Sequence, residues 1–212
     1  AAIPLFTIAG YILSQSSAGK RYVEVFKSLF GWFRGGTVVA AVIVTTFFST
    51  FTGVSGVTIL ALGSLLTVVL TGNGYDQDRA ESLVTSSGAI GLLFPPSAAI
   101  IMYASTNYFS VDVFELFKGS ILPGLLLAIS MIAVGIYFDK QKERPPFSLK
   151  EIGKSIWHCI PELLMPFFIC IFYFNGIFDL FEVSAFSVIY AFVVSTLIRK
   201  DFNFKKSVEV IS

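Results

Sequence analysis

Six stretches of this chain carry no acidic or basic side chain: 1–19, 35–75, 82–111, 119–138, 163–178 and 183–198. A helix crossing about 30 Å of hydrocarbon at 1.5 Å per residue needs roughly 20 apolar residues. Most of the stretches have that length, and the shorter two reach it with flanking aromatics and tilt. A soluble helix needs a polar face, and these have none. Only 14% of residues are charged, against about 25% in a soluble domain, and 55% are hydrophobic. The fold class is therefore all-α polytopic membrane protein.

A net charge of +1 gives no argument for nucleic acid, which is not expected as a partner; the lipid bilayer is. Cys159 and Cys170 imply neither a disulfide framework nor a metal site. Ala1 opens inside an apolar stretch and Ser212 follows a basic turn, so the sequence reads as a piece of a longer chain.

Three segments are expected. Residues 1–34 hold a truncated span (Ala1–Ser14) and an amphipathic interfacial helix (Lys20–Arg34) ended by Gly35 and Gly36. Residues 35–139 hold 37–70, a discontinuous helix over 79–107 and a span over 119–138. The stretch 37–70 divides at Thr52-Gly53-Val54-Ser55-Gly56 into two arms of about 15 residues. Irregular backbone at membrane depth survives only where protein or a water-filled cavity covers it. A re-entrant hairpin meets that constraint, and two short full spans are the alternative. Pro95-Pro96 interrupts 79–107, because proline lacks the N–H donor, clashes with the preceding turn and biases its predecessor away from α geometry. Residues 140–212 hold a basic connector, an interfacial helix over Ser148–Ile160 and spans over Leu163–Phe178 and Val183–Ile198. Asp112–Lys118 is a short lead-in to the 119–138 span.

Lysine and arginine cluster at Lys20–Arg34, Lys140–Lys154 and Arg199–Lys206. Placing all three inside gives a consistent count of crossings, and puts Asp179–Glu182 outside. Trp32, Arg34 and Trp157 then read as interface anchors. Asp76, Asp78 and Glu81 read as a solvated turn.

Unwound carbonyls and C-terminal helix ends suit Na⁺, and N-terminal ends suit anions. Thr52, Gly53, Ser55, Gly56 and Thr58 at the tip form one candidate site with Ser86, Ser87, Gly88, Gly91, Pro95, Pro96 and Ser97 at the break. Thr52, Ser55 and Ser87 are the Na⁺ candidates. Close helix packing explains the same small residues equally well. Two readings from other classes also arise. Gly53-Val54-Ser55-Gly56 matches the Gly-x-Ser-Gly of rhomboid-type intramembrane serine proteases, with His158 as the sole histidine. An ion channel also uses re-entrant loops, but no charged ring or filter-like repeat is present.

The motifs PLFTIAG (4–10), GWFRGG (31–36), FFSTFTGVSG (47–56) with ALGS (61–64), GYDQDRA (74–80), SSGAIGLLFPPSAAIIMYA (86–104) and ILPGLL (121–126) occur in order. In these the chain resembles the large membrane subunit of TRAP (tripartite ATP-independent periplasmic) transporters, DctM-like. The resemblance is strongest over about 1–140 and implies most of the first of two inverted halves. It implies an elevator-type, Na⁺-coupled importer of organic acids, of C4-dicarboxylate or sialic-acid type, in the bacterial inner membrane. It also implies a small four-helix membrane subunit and a periplasmic substrate-binding protein as partners, with Na⁺ as coupling ion, no cofactor and no enzymatic activity. The tip departs from the family's frequent Ser-Gly-Ser-Ser-Val-Ala-Asp: Val54 lacks a hydroxyl and Thr58 a carboxylate. That leaves Thr52 and Ser55 as the stronger ligand candidates.

Overall fold

The computed structural model describes residues 2–106, 112–139, 147–199 and 201, and all regular structure among them is helical. The elements are α1 (Ala2–Gln15), α2 (Ala18–Phe30), α3 (Gly36–Thr52), α4 (Ser55–Gly72), α5 (Gln77–Ile90), α6 (Ala98–Thr106), α7 (Val113–Tyr137), α8 (Leu149–Phe174) and α9 (Leu180–Val193). A 3₁₀ turn at Gly91–Leu93 follows α5, and a π turn at Val194–Ile198 follows α9. Five runs are long and apolar enough to cross a membrane: Ser55–Gly72, Gln77–Ala104, Val113–Tyr137, Leu149–Tyr173 and Leu180–Ile198. The chain is a multi-pass helical membrane protein.

Helix α3 is the centre of the fold. Val38, Val42 and Val44 are wholly buried, and the helix touches α1, α2, α4, α5 and α7. Its partner α4 buries one stripe, Leu62, Leu66 and Leu70, at the helical spacing. On the other side Leu60 is 86% exposed and Val68 68%. Water would not tolerate that face, and lipid does. Helix α2 is amphipathic, burying Tyr22, Val23 and Val25 while Lys20 and Glu24 are exposed.

The chain between α5 and α6 opens where two prolines demand it. Phe94, the residue before Pro95, is extended (φ −96°, ψ 143°), and the Pro95–Pro96 peptide is cis. Helix α9 begins with a capping box between Asp179 and Glu182, the reciprocal pairing that satisfies free N–H groups at a helix start.

Two expected boundaries are absent. The lead-in at Asp112–Lys118 and the 119–138 span are one helix, α7, capped by Asp112 accepting from the N–H of Phe114 at 3.1 Å. An isolated glycine such as Gly119 costs a helix only about 1 kcal/mol. Likewise the interfacial helix expected over Ser148–Ile160 and the span over Leu163–Phe178 are one helix, α8. The reason is Glu162. Its side chain is fully buried and its Oε1 lies 2.8 Å from the Nε of both Arg21 and Arg199. The carboxylate is neutralised from two neighbouring elements, so it does not mark a water boundary. Proline inside α8 is accommodated similarly. Pro166 cannot donate to the carbonyl of Glu162 one turn back, and the Tyr22 hydroxyl donates to it instead at 2.7 Å. Neighbouring side chains commonly replace backbone donors lost to proline in membrane helices. Residues 140–146 of the expected connector, and the basic turn after Asp201, lie outside the described residues.

Candidate functional site

Helices α3 and α4 meet through two residues, Gly53 and Val54. Gly53 is left-handed (φ +65°), and its N–H donates to the Ser49 carbonyl at 3.0 Å. A β-carbon there would also sit 2.9 Å from the Cβ of Ala98, the first residue of α6. Glycine is thus required twice over, by conformation and by space. That approach brings the hairpin tip to the start of α6, beside the break in the α5–α6 run.

The end of α5 leaves carbonyls without in-helix donors. Hydroxyls of α3 supply them. Ser49 Oγ donates to the Gly88 carbonyl at 2.5 Å and Thr46 Oγ1 to the Ser87 carbonyl at 3.4 Å; Thr50 Oγ1, 2.8 Å from the Thr46 carbonyl, also lies 3.1 Å from the Gly91 carbonyl, which accepts from the N–H of Phe94. Gly91 permits this contact: an added Cβ would lie 2.4 Å from the Thr46 carbonyl oxygen and 2.5 Å from Ser49 Cβ. At Gly88 an added Cβ would find only ordinary contacts, the nearest at 3.6 Å.

At the tip, Thr52 and Thr58 are buried, and their hydroxyls lie 2.9 Å apart; Thr52 also reaches the Val54 carbonyl at 3.1 Å. Ser97 is buried and accepts from the N–H of Ile100 at 3.4 Å as α6 starts. Ser87 is buried and donates to Leu83 within its own helix at 2.6 Å. Pro96 is buried and Pro95 half-buried. Ser55 is half-buried, without a hydrogen-bond partner for its hydroxyl among the described residues, and Gly56 beside it is exposed. Ser86 is exposed on the outer side of α5. The structure therefore gathers Thr52, Gly53, Thr58, Ser87, Gly88, Gly91 and Ser97 at one junction, and leaves Ser86 off it.

Reasoning from sequence missed Thr46, Ser49 and Thr50. Their spacing of three and four along one face of an otherwise apolar helix was the available signal. Four helix ends converge here: the C-terminal ends of α3 and α5 carry partial negative charge, and the N-terminal ends of α4 and α6 partial positive charge. The oxygens are hydroxyls and carbonyls. Among the described residues no cluster of three His, Cys, Asp or Glu side chains exists to hold a metal ion. Such a neutral oxygen set fits an alkali cation better than a transition metal. His158 lies elsewhere, lining a cleft between α2 and α8, and no hydrogen bond joins it to Ser55 among the described residues.

The whole chain, residues 1–212, matches the family described as "Tripartite ATP-independent periplasmic transporter, DctM component". It is 32% identical over 205 residues to the C4-dicarboxylate TRAP transporter large permease protein of Vibrio cholerae, covering 94% of this chain and 44% of the relative. It is 25% identical to the isethionate TRAP transporter permease protein of Oleidesulfovibrio alaskensis, covering 95% of this chain and 32% of that one. With the ectoine/5-hydroxyectoine large permease protein of Ruegeria pomeroyi the identity is 26%, over 95% of this chain and 47% of the relative. The chain spans about half the length of the curated relatives it matches, or less. These relatives are transport permeases and not enzymes, which removes the protease reading of Gly53–Gly56. By its match over every residue, the chain belongs to the DctM family of tripartite ATP-independent periplasmic transporters.

Proposed function

We propose that the tip of α3–α4 and the break between α5 and α6 form part of the ion and substrate site of a Na⁺-coupled importer of organic acids. The observation that carries this reading is the approach of Gly53 to Ala98, which brings two negative and two positive helix ends to one junction. The C-terminal ends of α3 and α5, with the oxygens of Thr52, Thr58 and Ser55, suit Na⁺. The N–H groups opening α4 and α6 suit a carboxylate. In this reading α3–α4 enters and returns rather than crossing twice, and the approach of its tip to the break between α5 and α6 supports it. Relatives named for C4-dicarboxylate, isethionate and ectoine support a small polar solute and leave its identity open among organic acids.

In this reading the whole permease works in the bacterial inner membrane with a small membrane subunit and a periplasmic binding protein. An elevator-type displacement carries the junction between the two sides. Uptake into proteoliposomes by the full-length permease with its partners, in Na⁺ and in choline at matched pH, tests it. Uptake should require Na⁺. Equal uptake in both, driven instead by a proton gradient, would overturn the assignment.

A further inference from the structure

Away from the junction, α2 and the first turns of α8 flank a half-open cavity of about 370 Å³. That lies inside the range of roughly 300–1,000 Å³ usual for small-ligand sites. One wall is a stripe of α2 carrying Glu24 and Lys27. The other is a stripe of α8 carrying Glu151, Lys154 and His158. Each wall thus presents one carboxylate and one ammonium, and the four charges sum to zero.

Opposite charges lining one cavity can pair across it. Among the described residues the ion pairs are Arg21–Glu162, Arg21–Asp201 and Arg199–Glu162, and none involves these four side chains. At the rim Trp32, 45% exposed, meets the ring of Phe147, 54% exposed, with centroids 5.3 Å apart. Exposed tryptophan and phenylalanine beside lysines are the composition of a membrane–water interface. Both walls belong to the basic clusters that the positive-inside pattern places on the cytoplasmic side.

We propose that this cleft binds the headgroup of a zwitterionic phospholipid with a primary amine, its phosphate on Lys27 and Lys154 and its ammonium on Glu24 and Glu151. Each element of the chemistry excludes an alternative. A neutral pair of walls does not favour an anionic headgroup, because two carboxylates oppose it. A quaternary amine satisfies the charge but has no N–H to donate to Glu24 or Glu151. A primary ammonium donates three hydrogen bonds, and charge-assisted bonds are roughly twice as strong as neutral ones. The Trp32–Phe147 rim supplies apolar surface for the glycerol backbone and first acyl carbons, which a soluble phosphoamine lacks.

The test is native mass spectrometry of the full-length permease in mixed micelles holding equal amounts of phosphatidylethanolamine, phosphatidylcholine and phosphatidylglycerol. The wild type should retain phosphatidylethanolamine over the other two by at least about tenfold, the loss expected when charge-assisted hydrogen bonds are removed. Glu24→Gln with Glu151→Gln should erase the preference over phosphatidylcholine. Lys27→Ala with Lys154→Ala should lower retention of all three lipids. Monodisperse elution of each variant separates lost lipid from lost fold; should a double variant fail there, the exposed Glu151→Gln and Lys154→Ala singly give the same readings at smaller amplitude. Equal retention of the three lipids by the wild type, a preference for phosphatidylglycerol, or retention unchanged in the lysine variants would overturn the site. If O-phosphoethanolamine protects delipidated permease from heat as well as the lipid does, the ligand is soluble and the lipid assignment fails. None of these readings depends on Na⁺ coupling.

Discussion

Ser49 gives its hydroxyl proton to the Gly88 carbonyl across 2.5 Å, tying the first arm of the hairpin to the last turn of α5. Both residues are buried. The bond occupies a carbonyl in the last turn of a helix that ends shortly before Pro95 and Pro96. Helix α3 is thus a source of hydrogen bonds for the break as well as a packing surface.

Ser49→Ala removes that donor and leaves the Gly88 carbonyl buried and unpaired. The expected cost is about 1–3 kcal/mol, read as a lower midpoint in thermal unfolding of the purified permease. An unchanged midpoint would mean that water or another donor reaches the carbonyl.

Ser55 and Thr52 separate ion binding from stability. The Ser55 hydroxyl has no partner among the described residues, so Ser55→Ala should leave thermal stability nearly unchanged. If the hydroxyl ligates Na⁺, its loss weakens apparent Na⁺ affinity by roughly five- to 150-fold, for a lost interaction of about 1–3 kcal/mol. Uptake measured against Na⁺ should then shift to higher concentration and recover there. His158→Ala should leave the curve in place. Thr52→Val breaks the contact with Thr58 and should lower both stability and Na⁺ affinity.

Two glycines three residues apart predict opposite outcomes. Gly91→Ala forces a methyl group to within 2.4 Å of the α3 backbone, and overpacking of this kind costs typically about 1–3 kcal/mol. Gly88→Ala meets nothing closer than 3.6 Å and should be tolerated. Unfolding midpoints and uptake for the pair check both; equal damage would refute the contact geometry at Gly91.

Tyr22 and Pro166 form a testable cycle. Tyr22→Phe deprives the Glu162 carbonyl of its donor and should destabilise by about 1–3 kcal/mol. Pro166→Ala restores an N–H one turn away, so Tyr22→Phe should cost much less in that background. Additive effects in the double-mutant cycle would show that the two residues do not share this carbonyl.

Asp201 predicts an acid-side loss. Partial burial pushes its pKa up, but hydrogen bonds from the Ser17 hydroxyl and N–H and from Arg21 outweigh this and hold it below the usual value. A folded-state pKa below the unfolded one stabilises above the unfolded value, about 3.9, and that contribution is lost as pH falls through the folded value. Thermal midpoints from pH 7 to pH 3 should fall less steeply at the acid end in Asp201→Asn than in the wild type. Parallel curves would remove Asp201 from the acid response.

What the sequence alone determined here rests on local causes. Charge-free stretches cannot be solvated, so the membrane class and the run of helices follow from composition along the chain. Pro95-Pro96 opens a helix whatever surrounds it, and Gly53 ends one because few other residues take its backbone angles. Thr52 to Thr58 and Ser86 to Ser97 were legible as polar places in apolar context. Tertiary structure alone decided which of those side chains meet. Neighbours in sequence, Ser86 and Ser87 are turned about 100° from each other on α5, and only Ser87 is buried at the junction. Thr46, Ser49 and Thr50 acquire a role only because α5 ends beside them. Glu162 reads as the edge of a span until Arg199, 37 residues away, and Arg21 of α2 are placed against it. Charge burial depends on partners brought by the fold, and no local window of sequence contains them.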